Sequence, residues 1–260
     1  MKGKFWIFSV VFLGVISCGK ELMSRFEGFR QPAGFPEPVY KLANNPITEP
    51  GFLLGRKLFY EPGLSSNNTI SCGSCHIQGS AFTQHGHDVS HGIDDRLGRR
   101  NSPPIMNLAW MPSFMWDGGV FDLDLQPVVP ITAHEEMDET IAGVLSKLRA
   151  TSGYPDLFRD AFGDTSIDNI RMLKALSQFM LLCISDQSRF DSMQQNLVQF
   201  NEQEREGYRL FTQNCSGCHK EPFFSDFNFR NNGLQPTPAD DQGRYLVTLC
   251  LLYTSPSPRD

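Results

Sequence analysis

Cys72-Gly73-Ser74-Cys75-His76 decides the reading of this chain, and Cys215-Ser216-Gly217-Cys218-His219 repeats it. Both are C-x-x-C-H, the pattern of covalent haem attachment. Two thiols one helical turn apart can each form a thioether with a porphyrin vinyl group, and the adjacent imidazole can swing under the ring to ligate iron. A redox-active dithiol, or a zinc ion held by four thiolates, also uses C-x-x-C, but neither requires a histidine beside it. The motifs therefore predict two covalently bound haem c groups, held by Cys72, Cys75, Cys215 and Cys218, with His76 and His219 as iron ligands.

Outward from the motifs the pattern is helical. Apolar residues recur at helical spacing from Phe52 to Phe59, and Asn67-Asn68 then turns the chain into the first motif. Glu202 to Phe211 forms a second amphipathic lead-in, to the second motif. Between them, Asp138 is positioned to cap a helix carrying Ile141, Val144, Leu145 and Leu148. Ser166 is positioned to cap one carrying Ile170, Leu173, Leu176, Met180 and Cys183. Alternating strand patterns are nearly absent. The expected fold is mostly α, with two tandem cytochrome c-like haem domains, the second incomplete, joined around Met193 to Asn201. The expected boundaries are 18–50 for an extended, proline-marked N-terminal segment, 51–200 for the first haem domain and 201–249 for the start of the second.

At 260 residues, 40% hydrophobic and 20% charged, the chain is long enough for one or two cores. A net charge of -6 without a basic stripe argues against nucleic acid as a partner. Lys2 and Lys4 precede an apolar run from Phe5 to Ile16 of secretory-signal size. Val15-Ile16-Ser17-Cys18-Gly19 resembles a bacterial lipobox, so residues 1–17 read as a lipoprotein signal peptide and Cys18 as a lipidated membrane anchor; an ordinary signal with an incidental cysteine is the alternative. Export fits haem attachment outside the cytoplasmic membrane and predicts a periplasmic protein. Cys183 reads as a small buried thiol on a core face. Residues 250–260, Cys250 to Asp260, look like translated sequencing-library adapter, which implies that the natural reading frame continues past Leu249; a genuine Ser/Pro tail is the alternative.

Several ordered signatures lie between and around the motifs: Arg100-Asn101-Ser102-Pro103-Pro104, Trp116-Asp117-Gly118-Gly119, Glu135-Glu136-Met137, Gly55-Arg56-Lys57-Leu58-Phe59 and Pro222-Phe223-Phe224-Ser225-Asp226-Phe227. From about Gly51 to Val247 the chain thereby resembles the bacterial di-haem cytochrome c peroxidases, within a MauG-like superfamily. The resemblance implies an N-terminal peroxidatic haem and a C-terminal haem that takes electrons from a small periplasmic donor, a cytochrome c or a cupredoxin. It implies Glu136 as the distal proton-transfer group for hydrogen peroxide and Trp116 as a charge conduit between the haems. Taken alone, Glu136 is one acid in an acidic run and Trp116 one more aromatic. The resemblance matches the backbone oxygen of Asn101 to a ligand of a calcium ion between the domains, a loop-capping Asn being the alternative, and Arg99 and Arg100 read either as partners for haem propionates or as solvated loop arginines. Family members often pair as homodimers.

Two departures stand out. The family often has a histidine capping the resting peroxidatic haem, where this chain has Ile93. His85, His87 and His91 lie nearby, and His91 is our choice for that role. The methionine that usually caps the second haem has no counterpart after His219, since the last methionine is Met193. Two alternatives to a peroxidase stay open: a MauG-like oxidase that modifies a partner protein, and a non-catalytic di-haem electron-transfer cytochrome.

Overall fold

The computed structural model describes residues 26–230, 241 and 243–249, so the signal segment with Cys18 and the tail from Cys250 lie outside the described residues. The helices are α1 (Glu49–Phe59), α2 (Cys72–Cys75), α3 (Val128–Thr132), α4 (Ile141–Ala150), α5 (Tyr154–Phe162), α6 (Asn169–Leu181), α7 (Arg189–Gln194), α8 (Glu202–Asn214) and α9 (Tyr245–Thr248). Among the described residues there is no strand, only the isolated bridges Ile77–Thr83, His91–Leu97 and Phe114–Val120. No described helix is long and apolar enough to cross a membrane.

The core forms where α1 packs on α6 and α5. Leu54, Leu58 and Phe59 of α1 are buried against Met172, Leu176 and Phe179 of α6 and Phe158 of α5. Gly55 lets the backbones touch: a Cβ there would lie 1.9 Å from the Ala175 carbonyl oxygen. Thr48 caps α1, its hydroxyl accepting from the Gly51 amide at 3.1 Å, and Pro50 occupies an early position where a missing N–H costs nothing. Gln178, buried on α6, accepts from the Thr48 amide at 3.0 Å and donates to Asn45 Oδ1 at 2.9 Å, so an amide in the core is satisfied at both ends.

Two expected caps fall elsewhere. Thr140, not Asp138, caps α4, accepting from the Gly143 amide at 3.0 Å. Asp168, not Ser166, caps α6, accepting from the Arg171 amide at 2.9 Å. In each case a competent cap stands directly before the first helical residue and displaces the more distant candidate. Ile170, expected on the core face of this helix, is 61% exposed, while Met172 is buried. The expected lead-in to the second motif forms as α8, with an Asn201–Glu204 capping box.

Residues 26–48 lie across this core with a single short 3-10 turn at Leu42–Asn44, so the expected boundary at 50 falls inside the start of α1. The Trp110 indole donates to the Pro36 carbonyl at 2.7 Å, and Phe35 stands edge-on to both Trp110 and Phe223, each at 4.9 Å. Phe223 follows the second motif, so this segment ties the two halves together.

Candidate functional site

The four residues of α2 place Cys72 and Cys75 one turn apart, and the His76 amide closes the turn on the Cys72 carbonyl at 2.9 Å. Beyond His76 the chain folds back through the Ile77–Thr83 bridge, with Ala81 and Phe82 both left-handed at φ 58° and 56°. That backbone aims the Phe82 carbonyl at His76 Nδ1, 2.7 Å away. With Nδ1–H donating there, Nε2 is left with its lone pair for a metal. Burial pulls the His76 pKa below its usual value, favouring the neutral imidazole that ligation requires. Burial also pushes the Cys72 thiol up to about 12 and raises that of Cys75.

These three side chains open into a cavity of about 560 Å³ whose wall also includes His91, Arg99, Arg100, Asn101, Trp116 and Glu136. Residues scattered through the sequence are thus gathered around one space. A cavity of this volume, walled by both thiols and a histidine whose Nδ1 is held by a backbone carbonyl, fits a thioether-bound porphyrin.

Glu136 sits in a turn after α3. Its amide donates to the Ala133 carbonyl at 3.1 Å, and its own carbonyl accepts from the Ile93 amide at 2.9 Å. Burial, with a smaller contribution from neighbouring Glu135, holds its carboxyl above the usual carboxylate range. Among the described residues no hydrogen bond ties that carboxylate down.

Of the three nearby histidines only His91 lines the cavity. Its Nδ1 lies 2.6 Å from Asp95 Oδ1, its ring is 4.5 Å from that of His87, and its carbonyl accepts from Cys75 Sγ at 3.5 Å. His85 and His87 are exposed, and Ile93 is only 2% exposed. The Trp116 indole donates to the Asn101 carbonyl at 2.7 Å, so the oxygen expected to serve a cation is already an acceptor. The atom of Asn101 that is buried without a partner is its side-chain Oδ1.

Arg100 differs from expectation. It forks onto Asp241 at 2.7 and 2.5 Å and reaches Asp117 at 2.9 Å, so its guanidinium is engaged by carboxylates. Arg99 is exposed on the cavity wall.

The second motif ends α8 in the open. Cys215, Cys218 and His219 are all exposed, and the described part of α8 buries no residue. Yet His219 Nδ1 lies 3.0 Å from the carbonyl of Phe224, another left-handed phenylalanine at φ 52°. Phe224 packs at 4.9 Å from Phe190 and 5.3 Å from Phe211, and the three border a shallow groove of about 330 Å³.

The carbonyls that orient the two histidines left no mark in the sequence, because nothing in Phe82 or Phe224 announces a left-handed backbone. Gly92 did leave one. A Cβ there would lie 2.1 Å from the Glu135 carbonyl oxygen, so only glycine lets the loop carrying His91 approach the turn carrying Glu136.

A helical protein with a cavity lined by both an attachment motif and a half-buried acid has the make-up of a c-type haem protein. The profile of the family described as di-haem cytochrome c peroxidase matches residues 49–199. The methylamine utilization protein MauG of Methylophilus methylotrophus is 32% identical over 223 residues, 84% of this chain and 64% of that protein. The cytochrome c551 peroxidase of Pseudomonas aeruginosa is 30% identical over 226 residues, 82% of this chain and 64% of that protein. Among solved structures, a MauG-like protein associated with microbial copper homeostasis superposes with a TM-score of 0.79 at 29% identity, covering 89% of this chain and 74% of that one. The chain belongs to the di-haem cytochrome c peroxidase family, and it spans less than two thirds of the length of these two curated relatives.

Proposed function

We propose that the protein reduces hydrogen peroxide to water in the cavity over His76, drawing electrons from a small donor protein, a cytochrome c or a cupredoxin, through the centre at His219. The reaction consumes two electrons and two protons for each peroxide and releases two waters. A porphyrin iron at each motif supplies the redox chemistry. The remaining roles belong to the chain. His76 would hold the iron through Nε2, its ring fixed by the Phe82 carbonyl. Glu136 carries a proton from one peroxide oxygen to the other, and its raised pKa brings its protonated form closer to neutral pH. Trp116 carries charge between the centres, held by the Asn101 carbonyl. With the group bound, Arg99 would meet a propionate, His91 would hold the iron of the resting protein, and Asn101 would offer an oxygen to a calcium ion. We place the protein in the periplasm, anchored through lipidated Cys18, as a homodimer.

The observation that carries this reading is the Glu136 carboxyl in the same cavity as Cys72, Cys75 and His76. In haem-loaded protein given hydrogen peroxide and a reduced cytochrome, Glu136→Gln should lower kcat/KM by roughly 10²- to 10⁴-fold at unchanged haem content. Equal turnover of the two proteins contradicts the assignment.

A second reading is a MauG-like oxidase acting on a partner protein, favoured by the similarity to MauG and to the MauG-like structure. It is distinguished by peroxide consumption that does not oxidise the small donor.

A further inference from the structure

We propose that Arg96 is a positioning residue for Glu136, clamping the turn that carries it; the inference rests on the catalytic reading of that carboxyl. Arg96 Nη1 donates to the Asp138 carboxylate at 2.6 Å and to the His134 carbonyl at 2.8 Å. His134 and Asp138 stand two residues before and two after Glu136, so one guanidinium spans the turn. Nη1 also lies 3.1 Å from His134 Nδ1, and Nη2 donates to Asp94 at 3.2 Å. The Arg96 pair holds the Asp138 carboxyl below its usual pKa.

The same loop grips the turn at its centre. The Ile93 amide donates to the Glu136 carbonyl at 2.9 Å, and Gly92 packs directly on the Glu135 and Glu136 carbonyl oxygens. The loop closes on itself through the Gly92 amide to the Arg96 carbonyl at 2.8 Å. It turns through Asp94 and Asp95, both left-handed at φ 52° and 58°. Non-glycine residues adopt that conformation at a cost and persist in it where surrounding contacts hold them, as the Arg96 fork does here. One short loop thus grips the turn of the distal acid at both flanks and at its centre, and it fixes where the acid stands. Because the Glu136 carboxylate has no hydrogen bond among the described residues, its place depends on this backbone.

The test uses the haem-loaded full-length chain, Arg96→Ala, the milder Arg96→Lys and Asp138→Asn, each also made in the Glu136→Gln background. Arg96→Ala should lower kcat/KM for peroxide about 10- to 100-fold at unchanged haem content, with Arg96→Lys and Asp138→Asn falling short of it. Amide exchange at Ile93 should quicken in the same order. In the Glu136→Gln background Arg96→Ala should cost nothing further. Unchanged turnover in the Arg96 and Asp138 variants, or an equal loss in both backgrounds, overturns the clamp while leaving Glu136 catalytic. If Glu136→Gln is itself silent, the catalytic reading fails, and the clamp is decided by Ile93 exchange alone: unaltered exchange in the variants overturns it.

Discussion

Around Cys72–His76 the chain wraps a core, a long loop and the turn of Glu136, whereas around Cys215–His219 it offers one helix and a few aromatic rings. Both histidines nevertheless meet the carbonyl of a left-handed phenylalanine, at 2.7 and 3.0 Å. The orientation of the imidazole is therefore a local device, complete within a few residues of each motif. Reactivity is another matter. Raised carboxyl and thiol pKa values are found where residues distant in sequence exclude water, and that occurs at the first motif. Attachment chemistry is short-range; a catalytic environment needs long-range packing.

The two surroundings can be pulled apart by substitution. The largest difference should come from the histidines: His76→Ala should reduce peroxide turnover to the uncatalysed level, while His219→Ala should stop donor-driven turnover yet leave the first cavity's binding of a small ligand such as cyanide intact. Ligand titration followed by absorbance checks this, and loss of cyanide binding in both variants would erase the distinction.

Stability offers a smaller contrast. A Cβ on Gly73 would lie 2.4 Å from the Tyr60 ring, whereas nothing lies within 4 Å of one on Gly217. Gly73→Ala should destabilise by about 1–3 kcal/mol through overpacking, and Gly217→Ala should stay within about 0.5 kcal/mol of the parent. Denaturant unfolding of the two variants gives the comparison, and equal costs would mean that the first motif is as open as the second.

The smallest effect is on pH dependence. Because the Glu136 carboxyl is raised above its unfolded value, folding favours its protonated form. The associated stability is full below the ordinary glutamate pKa and is lost as pH rises through the folded one. Glu136→Gln, which cannot titrate, should therefore gain in thermal midpoint over the parent between acid and neutral pH. A difference that does not change with pH removes the buried carboxyl from consideration.

What the sequence disclosed follows the same division. The C-x-x-C-H motifs and the amphipathic run of α8 were legible because their pattern is contained within a few neighbouring residues. Caps were misplaced at Asp138 and Ser166 because nearer competitors, Thr140 and Asp168, took the helix starts. Glu136 and Trp116 were reached by resemblance, since an acidic run and an isolated tryptophan carry little meaning of their own. Arg100 was read as a partner for a propionate or as a solvated loop arginine, and its contacts with Asp241 and Asp117 join residues that no local pattern connects. The Arg96 contacts join residues brought together only by folding, and no spacing in the chain encodes them.

Peptide mass spectrometry of the mature protein tests most directly whether the cavity over His76 is built around a thioether-bound porphyrin. The peptide containing Cys72 and Cys75 should carry one haem, and so should the peptide containing Cys215 and Cys218. Unmodified thiols at Cys72 and Cys75 in otherwise haem-loaded protein would contradict it.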